Sequence, residues 1–286
     1  TYAEGKKIHF KDGFLAAGAV LRYRLRRPPR RTGPATHGAP DAPGPTQAVD
    51  DGTAIHALGL EDLAAAHRYH RYLLELIGPY LGRSVLQVGA GLGAFSGQLL
   101  DRDRLVVSDA DPICLRALEE RFGHHPGVEV LPGDALRLQV DPPVDTVVAV
   151  NVLDRLDDDV AALRSMARAA LPGGRVLVMV PAHPGLTGAY DRALGNRRRY
   201  TTGALRAAVE AAGLLPEVVR PVNLLGGLAW WAAVRVGRQA RPTPTLVRLY
   251  DRLVVPAERL LERRVRPRFG QSILCVARVP PPGPGA

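Results

Sequence analysis

Three glycines two residues apart, Gly89, Gly91 and Gly93, follow the apolar run Val85-Leu86-Gln87-Val88. Four apolar or neutral residues that stop abruptly at glycine read as a buried parallel strand entering a tight turn. Without a Cβ, the turn lets a ligand lie against bare backbone. The next residues, Ala94 to Leu100, read as a helix whose first N–H groups point at that ligand. Asp109 stands twenty residues after Gly89, at the end of a second apolar run, Leu105-Val106-Val107-Ser108. A carboxylate at that spacing suits the hydroxyls of a ribose. The chemistry announced is the binding of an adenosine-bearing cofactor.

Other reactive side chains fall later. His183, in Val180-Pro181-Ala182-His183-Pro184, sits in a loop after an apolar run and is the candidate general base; the bland alternative is a histidine that orders the loop. Tyr190, Asp191, Arg198, Arg199 and Tyr200 follow, a density of polar and aromatic groups that suits a second substrate. The run Arg197-Arg198-Arg199 reads equally well as a solvated or paired surface. Cys114 and Cys275 lie in apolar contexts, away from His or Cys at metal spacing, and read as core thiols of a reducing compartment. No metal cluster is expected.

The elements that must carry these groups alternate. Strands are expected at 84–88, 105–108, 128–131, 145–150, 175–180, 217–222 and 272–279. Helices are expected at 61–77, 94–101, 111–122, 158–170, 202–212 and 245–264. Asp111-Pro112 and Thr201-Thr202 read as helix starts. Such alternation gives an α/β protein with a parallel sheet covered on both faces. Before it come an amphipathic basic segment, residues 1–27, and a Pro/Gly-rich linker, residues 28–55, read as disordered; the folded domain is expected over 56–286. The N-terminus reads without a hydrophobic leader, and no run is long enough to span a membrane.

Charge is uneven. The net +10 divides into +7 over residues 1–31, −6 over 32–219, +8 over 220–270 and +1 from Arg278. Basic flanks suit anionic lipid, nucleic acid or an acidic substrate, or simply solvated surface. The apolar run Leu224 to Val234, with Trp230 and Trp231, reads as one more core helix or as a greasy lid.

Three features separate the possible cofactors. A helix precedes the glycine strand; Gly133-Asp134-Ala135 follows the third strand; Asn151-Val152-Leu153-Asp154 follows the fourth, with Leu171-Pro172-Gly173-Gly174 before the fifth. In this order, and in "RYHRYLLELIGPYLGRSVLQVGAGLG", "NVLDRLDDDVAALRSMARAALPGGRVLVMVPAHPGL", "YDRALGNRRRYTTGALRAAVEAAGL" and "GQSILCVAR", residues 56–280 resemble the class I S-adenosylmethionine (SAM)-dependent methyltransferases of the small-molecule branch. The resemblance implies a Rossmann-like, seven-stranded, mostly parallel sheet with an antiparallel last strand. It implies SAM as cofactor and methyl transfer as activity. Gly89, Ala90, Gly91 and Gly93 would pass the methionine and ribose, and Asp109 would hold the ribose with Ala110 beside the adenine. Asp134 and Ala135 would face the adenine amino group. Asn151 would floor the sulfonium, or cap the next segment. Tyr69 would close over the cofactor, or pack in the core. Two departures stand out: Gln87, where relatives carry Glu or Asp, and Asn196, where they often carry His.

Residues 1–25 resemble the C-terminal tail of family 2 polyprenyl-phosphate glycosyltransferases. That resemblance implies the end of a glycosyltransferase–methyltransferase fusion. The expected acceptor is a small molecule or a lipid-linked saccharide, the expected location cytoplasmic with membrane contact through the basic flanks, and nucleic acid is not expected as a partner. The competing readings are a non-catalytic SAM-binding domain of such a fusion, a nucleic-acid methyltransferase, and a nucleotide-dependent dehydrogenase.

Overall fold

The computed structural model describes residues 66–281, apart from 189, 190, 193 and 238–243. The chain divides into Thr1–Asp50 and Asp51–Ala286, and every described residue lies in the second unit. The basic segment, the linker and the glycosyltransferase-like residues 1–25 lie outside the described residues, as does Tyr190.

Seven strands form one sheet in the order β3-β2-β1-β4-β5-β7-β6. They are β1 (Ser84–Val88), β2 (Arg104–Asp109), β3 (Val128–Pro132), β4 (Val144–Val150), β5 (Ala170–Pro181), β6 (Leu215–Val222) and β7 (Ser272–Arg278). β1 pairs in parallel with β2 and β4, β2 with β3, and β4 with β5, while β7 runs antiparallel between β5 and β6. The strand order reverses at β1, whose chain neighbours β2 and β3 lie on one side and β4 and β5 on the other. Ligands of open α/β sheets bind outside the carboxyl ends of the strands at such a reversal.

Strand residues alternate between two cores. Leu86, Val147, Val176 and Val178 pack with Leu163 and Met166 of α3 (Asp159–Ala169) and Leu205 and Val209 of α4 (Thr202–Ala211). Val85, Leu105, Val107 and Leu177 pack on the other face with Leu73 and Ile77 of α1 (His67–Ile77) and Leu118 and Phe122 of α2 (Pro112–Phe122). Burial on both faces explains why these strands read as continuous apolar runs. The expected helix starts are present: Asp111 Oδ1 accepts from the Ile113 N–H at 2.8 Å and Thr201 Oγ1 from that of Ala204 at 3.1 Å. Both cysteines are buried and free.

One expectation is overturned. Residues 94–101 do not form an α-helix; the segment is turns around a single 3-10 turn, Ser96–Gln98. Gly93 and Gly97 weaken helix propagation there, and the chain closes short 3-10 bonds instead, Gln98 N–H to Phe95 O at 2.9 Å and Leu99 N–H to Ser96 O at 2.9 Å. The glycine turn therefore has no long helix dipole behind it.

The apolar run after β6 is helix α5 (Leu224–Gly237). Helix α6 (Pro244–Leu249) continues through a π turn, Tyr250–Val254, into α7 (Val255–Glu262). No helix among the described residues is long and apolar enough to cross a membrane.

Candidate active site

The glycine turn is shaped by what it touches. Gly89 has φ +66°, and a Cβ there would lie 2.6 Å from Val152 Cγ2, in the segment after β4. Gly93 has φ +74°, and its Cβ would lie 2.5 Å from the Phe122 ring. A side chain at either position would be both strained and blocked. The turn is also tied to the neighbouring strand, with the Ala90 N–H donating to Ser108 O at 3.0 Å.

Asp109 completes this cradle. Its Oδ2 accepts from the Gly91 N–H at 2.8 Å and its Oδ1 from the Asp111 N–H at 3.0 Å. An ionised carboxylate has about four acceptor positions. One bond on each oxygen fixes the group and leaves capacity for a vicinal diol. Ala110 beside it is exposed. The Gly133 N–H donates to Asp109 O at 3.0 Å, which brings the turn after β3 to the same edge. There Asp134 is exposed, its Oδ1 accepts from the Leu136 N–H at 2.9 Å, and Ala135 is buried beneath it.

Asn151 stands at the tip of β4 with φ 54°, its N–H donating to Met179 O at 2.8 Å. Gln87 is buried, and its Oε1 accepts from the Ser96 hydroxyl at 2.9 Å. The departure from a carboxylate thus ties β1 to the 3-10 turn. Tyr69 is partly buried on α1, its N–H donates to Asp251 Oδ1 at 2.8 Å, and burial pushes its hydroxyl up to about 12. The ring of its neighbour His70 lies 6.4 Å from that of Phe95 between centroids. Burial holds His70 down at about 4, so it is neutral, and its Nδ1 has no partner among the described residues.

The segment after β5 folds back on the segment after β4, with the Arg197 N–H donating to Asp154 O at 2.8 Å. Ala182 bridges to Tyr200, and the His183 N–H donates to Tyr200 O at 2.9 Å. His183 has φ 60°, and its ring stacks on Phe269 at 4.4 Å between centroids. Burial, and then the Arg199 charge, lower its pKa. Its Nε2 has no partner among the described residues.

Asp191 and Tyr200, expected at the acceptor, are structural in their contacts. Asp191 is buried and accepts from the Gly188 N–H at 2.8 Å and from Arg199 Nε at 3.0 Å and Nη2 at 2.9 Å. Arg199 also donates to Ala182 O at 3.0 Å and lies over the Trp230 ring. The Tyr200 hydroxyl donates to Asp159 Oδ2 at 2.7 Å. The arginine run is the paired surface: Arg198 faces Asp159 at 3.3 Å, and Arg197 meets Asp157.

One group at this edge went unread. Asp154 is fully buried, and neither of its carboxylate oxygens has a partner among the described residues. Its backbone O accepts from the Arg197 and Arg198 N–H groups at 2.8 and 3.2 Å, which sets it under the 182–200 segment. Burial pushes it up to about 6. Its place three residues after Asn151 was the available signal. Among the described residues, no group of three His, Cys, Asp or Glu could hold a metal ion.

The reversal at β1, the glycine turn and the carboxylate at the tip of β2 together give a Rossmann-like methyltransferase fold with a candidate cofactor cradle at its switch point. Residues 85–174 match the family described as methyltransferase domain. In solved structures the fold is similar to the methyltransferase in complex with the Haloferax volcanii Trm112 activator, at 17% identity, covering 78% of this chain and 96% of that one, TM-score 0.56. It is also similar to a SAM-dependent methyltransferase of Mesorhizobium loti, at 15% identity, covering 72% and 97%, TM-score 0.51. Among curated proteins, the demethylmenaquinone methyltransferase of Renibacterium salmoninarum is 29% identical over 123 residues, 43% of this chain and 51% of that protein. A probable ribosomal RNA small subunit methyltransferase A of Methanococcoides burtonii is 35% identical over 66 residues, 23% of this chain and 24% of that protein. The chain therefore spans about half, and about a quarter, of the length of these relatives.

Proposed function

We propose that the chain transfers a methyl group from SAM to a small or lipid-linked acceptor bound at the tips of β4 and β5, working at a membrane surface. The observation that carries the reading is the Asp109 carboxylate, oriented by the Gly91 and Asp111 N–H groups beside a turn no side chain can enter. Bound SAM supplies a methyl carbon already activated by a sulfonium. The protein's share is alignment and exclusion of water. Gly89 and Gly91 bring backbone against the cofactor, Asp109 fixes its ribose, and Asn151 lies at the strand tip between the two substrates. Tyr69 remains a candidate to close over the cofactor from α1.

A proton must leave the acceptor if the attacking atom carries one. His183 and Asp154 both stand at this edge, and both retain unpartnered polar atoms. His183, in the loop after β5, is the candidate base, and Asp154, buried beneath residues 197 and 198, is a further carboxylate at this edge. The quinone-directed relative supports an apolar small molecule. The ribosomal RNA relative matches only a short segment of 66 residues and lends less support to a nucleic-acid acceptor.

Calorimetry with SAM and NADH, followed by labelled-methyl transfer to lipid, quinol, saccharide and RNA fractions, tests the reading. Binding of SAM and labelling of the lipid or quinol fraction are expected. Failure to bind SAM overturns it. SAM binding without transfer to any fraction would leave a non-catalytic SAM-binding domain.

A further inference from the structure

The helical unit α6–α7 is built inside out. A surface helix ordinarily turns its apolar stripe inward and its charges to water. Here Asp251, Glu258 and Glu262 point inward, at spacings of seven and four that keep them on one face. Leu249, Leu253 and Leu260 occupy the opposite face, 37%, 51% and 51% exposed. Arg252, Arg263 and Arg264 are exposed along the same unit. Across residues 244–268 each acidic side chain is turned inward; Glu75 of α1 pairs with Arg259 and lies 3.8 Å from Arg263, so Arg252 and Arg264 carry the outward positive charge.

The register is locked. Asp251 accepts from the Arg68 and Tyr69 N–H groups at the start of α1, at 3.3 and 2.8 Å. Glu258 accepts from the Leu224 and Leu225 N–H groups at the start of α5, at 2.9 and 2.5 Å. Glu262 accepts from the Asn223 N–H at 2.7 Å and the Tyr72 hydroxyl at 2.9 Å. Rotation that hid the leucines would strip these bonds from two helix starts, leaving buried carboxylates unpaired. The leucines are therefore held out in water by the acids behind them.

What covers them must be apolar and negative together. A second copy would bring arginine against arginine, and residues 1–31 of the chain itself carry +7. A nucleic acid would satisfy the arginines and leave the leucines in water. The headgroup boundary of an anionic bilayer satisfies both.

We propose that the outer face of α6–α7 docks on an anionic lipid bilayer, with Leu249, Leu253 and Leu260 entering the headgroup region and Arg252 and Arg264 on lipid phosphates. The proposal rests on the membrane-surface reading of the function. It names the surface, and it implies an acceptor that partitions into the membrane.

Vesicle co-sedimentation of the full chain tests it, using phosphatidylcholine alone and phosphatidylcholine mixed with phosphatidylglycerol. Binding is expected only to the mixed vesicles. L249S/L253S/L260S should weaken it at least about tenfold, and R252Q and R264Q about fivefold per arginine neutralised. SAM affinity by calorimetry should be unchanged in all variants, which shows that they are folded. Wild-type binding by the leucine variant overturns the proposal, as does equal binding to both vesicle types. Retention of RNA that depends on the arginines but not the leucines, without vesicle binding, would assign the face to nucleic acid and overturn it. A dimer dissolved by the leucine variant would assign it to a second copy and overturn it. SAM binding without vesicle binding would sink this proposal and leave methyl transfer standing; vesicle binding without SAM binding would do the reverse.

Discussion

Replacing Asp191 by alanine should destabilise the protein out of proportion to the atoms removed. Arg199, whose side chain is 3% exposed, keeps only Ala182 O and the Trp230 ring once the carboxylate is gone. The Gly188 N–H and the Asn196 amide lose an acceptor as well. Breaking a buried pair on one side costs about 3–5 kcal/mol, because the remaining charge stays desolvated without a counter-ion. For a domain of this size that lowers Tm by roughly 6–20 °C. Urea denaturation of D191A and of the double variant D191L/R199M measures it. The double variant removes both charges and fills the space with apolar atoms, and should recover at least about 2 kcal/mol of the loss. A single variant costing less than about 1 kcal/mol, or a double variant worse than the single, would refute the claim that this pair anchors the 182–200 segment.

Three further outcomes follow from the cofactor edge and from Asp154. Gln87→Glu should tighten SAM binding about 3- to 10-fold by adding charge near the methionine ammonium, and equal or weaker binding in calorimetry would count against that role. Gly89→Ala combines a left-handed φ worth about 1–2 kcal/mol with the contact to Val152. It should weaken SAM at least about tenfold, and an unchanged Kd would mean the cofactor does not approach this turn. Asp154 is raised from 3.8 to about 6, so the folded state binds its proton more tightly than the unfolded chain. Its contribution, up to about 3 kcal/mol, is full below the unfolded pKa and lost as pH rises through about 6. Asp154→Asn should remove that slope when urea stability is compared at about pH 4 and about pH 8; a slope equal to that of wild type would show that Asp154 is not buried alone.

Much of this was legible because parallel strands covered on both faces must be apolar throughout. The seven strand positions follow from runs such as Leu105-Val106-Val107 and Val147-Val148-Ala149. The glycine turn and Asp109 follow from backbone requirements that few residue types satisfy. What stayed hidden depends on contacts between distant segments. Beyond its place after Asn151, nothing local distinguishes Asp154 from Asp157, because burial comes from the segment carrying Arg197 and Arg198 folding back over it. Asp191 and Tyr200 had the right chemistry for a substrate, but Arg199 and Asp159 took up their polar atoms. Residues 94–101 carried enough apolar residues to read as a helix, and the misreading lay in discounting Gly93, Ser96 and Gly97.

The place of β7 between β5 and β6 bears on how the sheet comes into being during synthesis. The first five strands are neighbours of strands already made, so they can zip as they emerge. β6 cannot: its one partner among the described strands is β7, about fifty residues later in the chain. Until residues 272–278 leave the ribosome, β5 has a bare edge and β6 floats with α4. The nascent chain thus carries an open sheet border past the point where the cofactor cradle is complete, which makes that interval the one in which strand-edge association with other chains is most exposed.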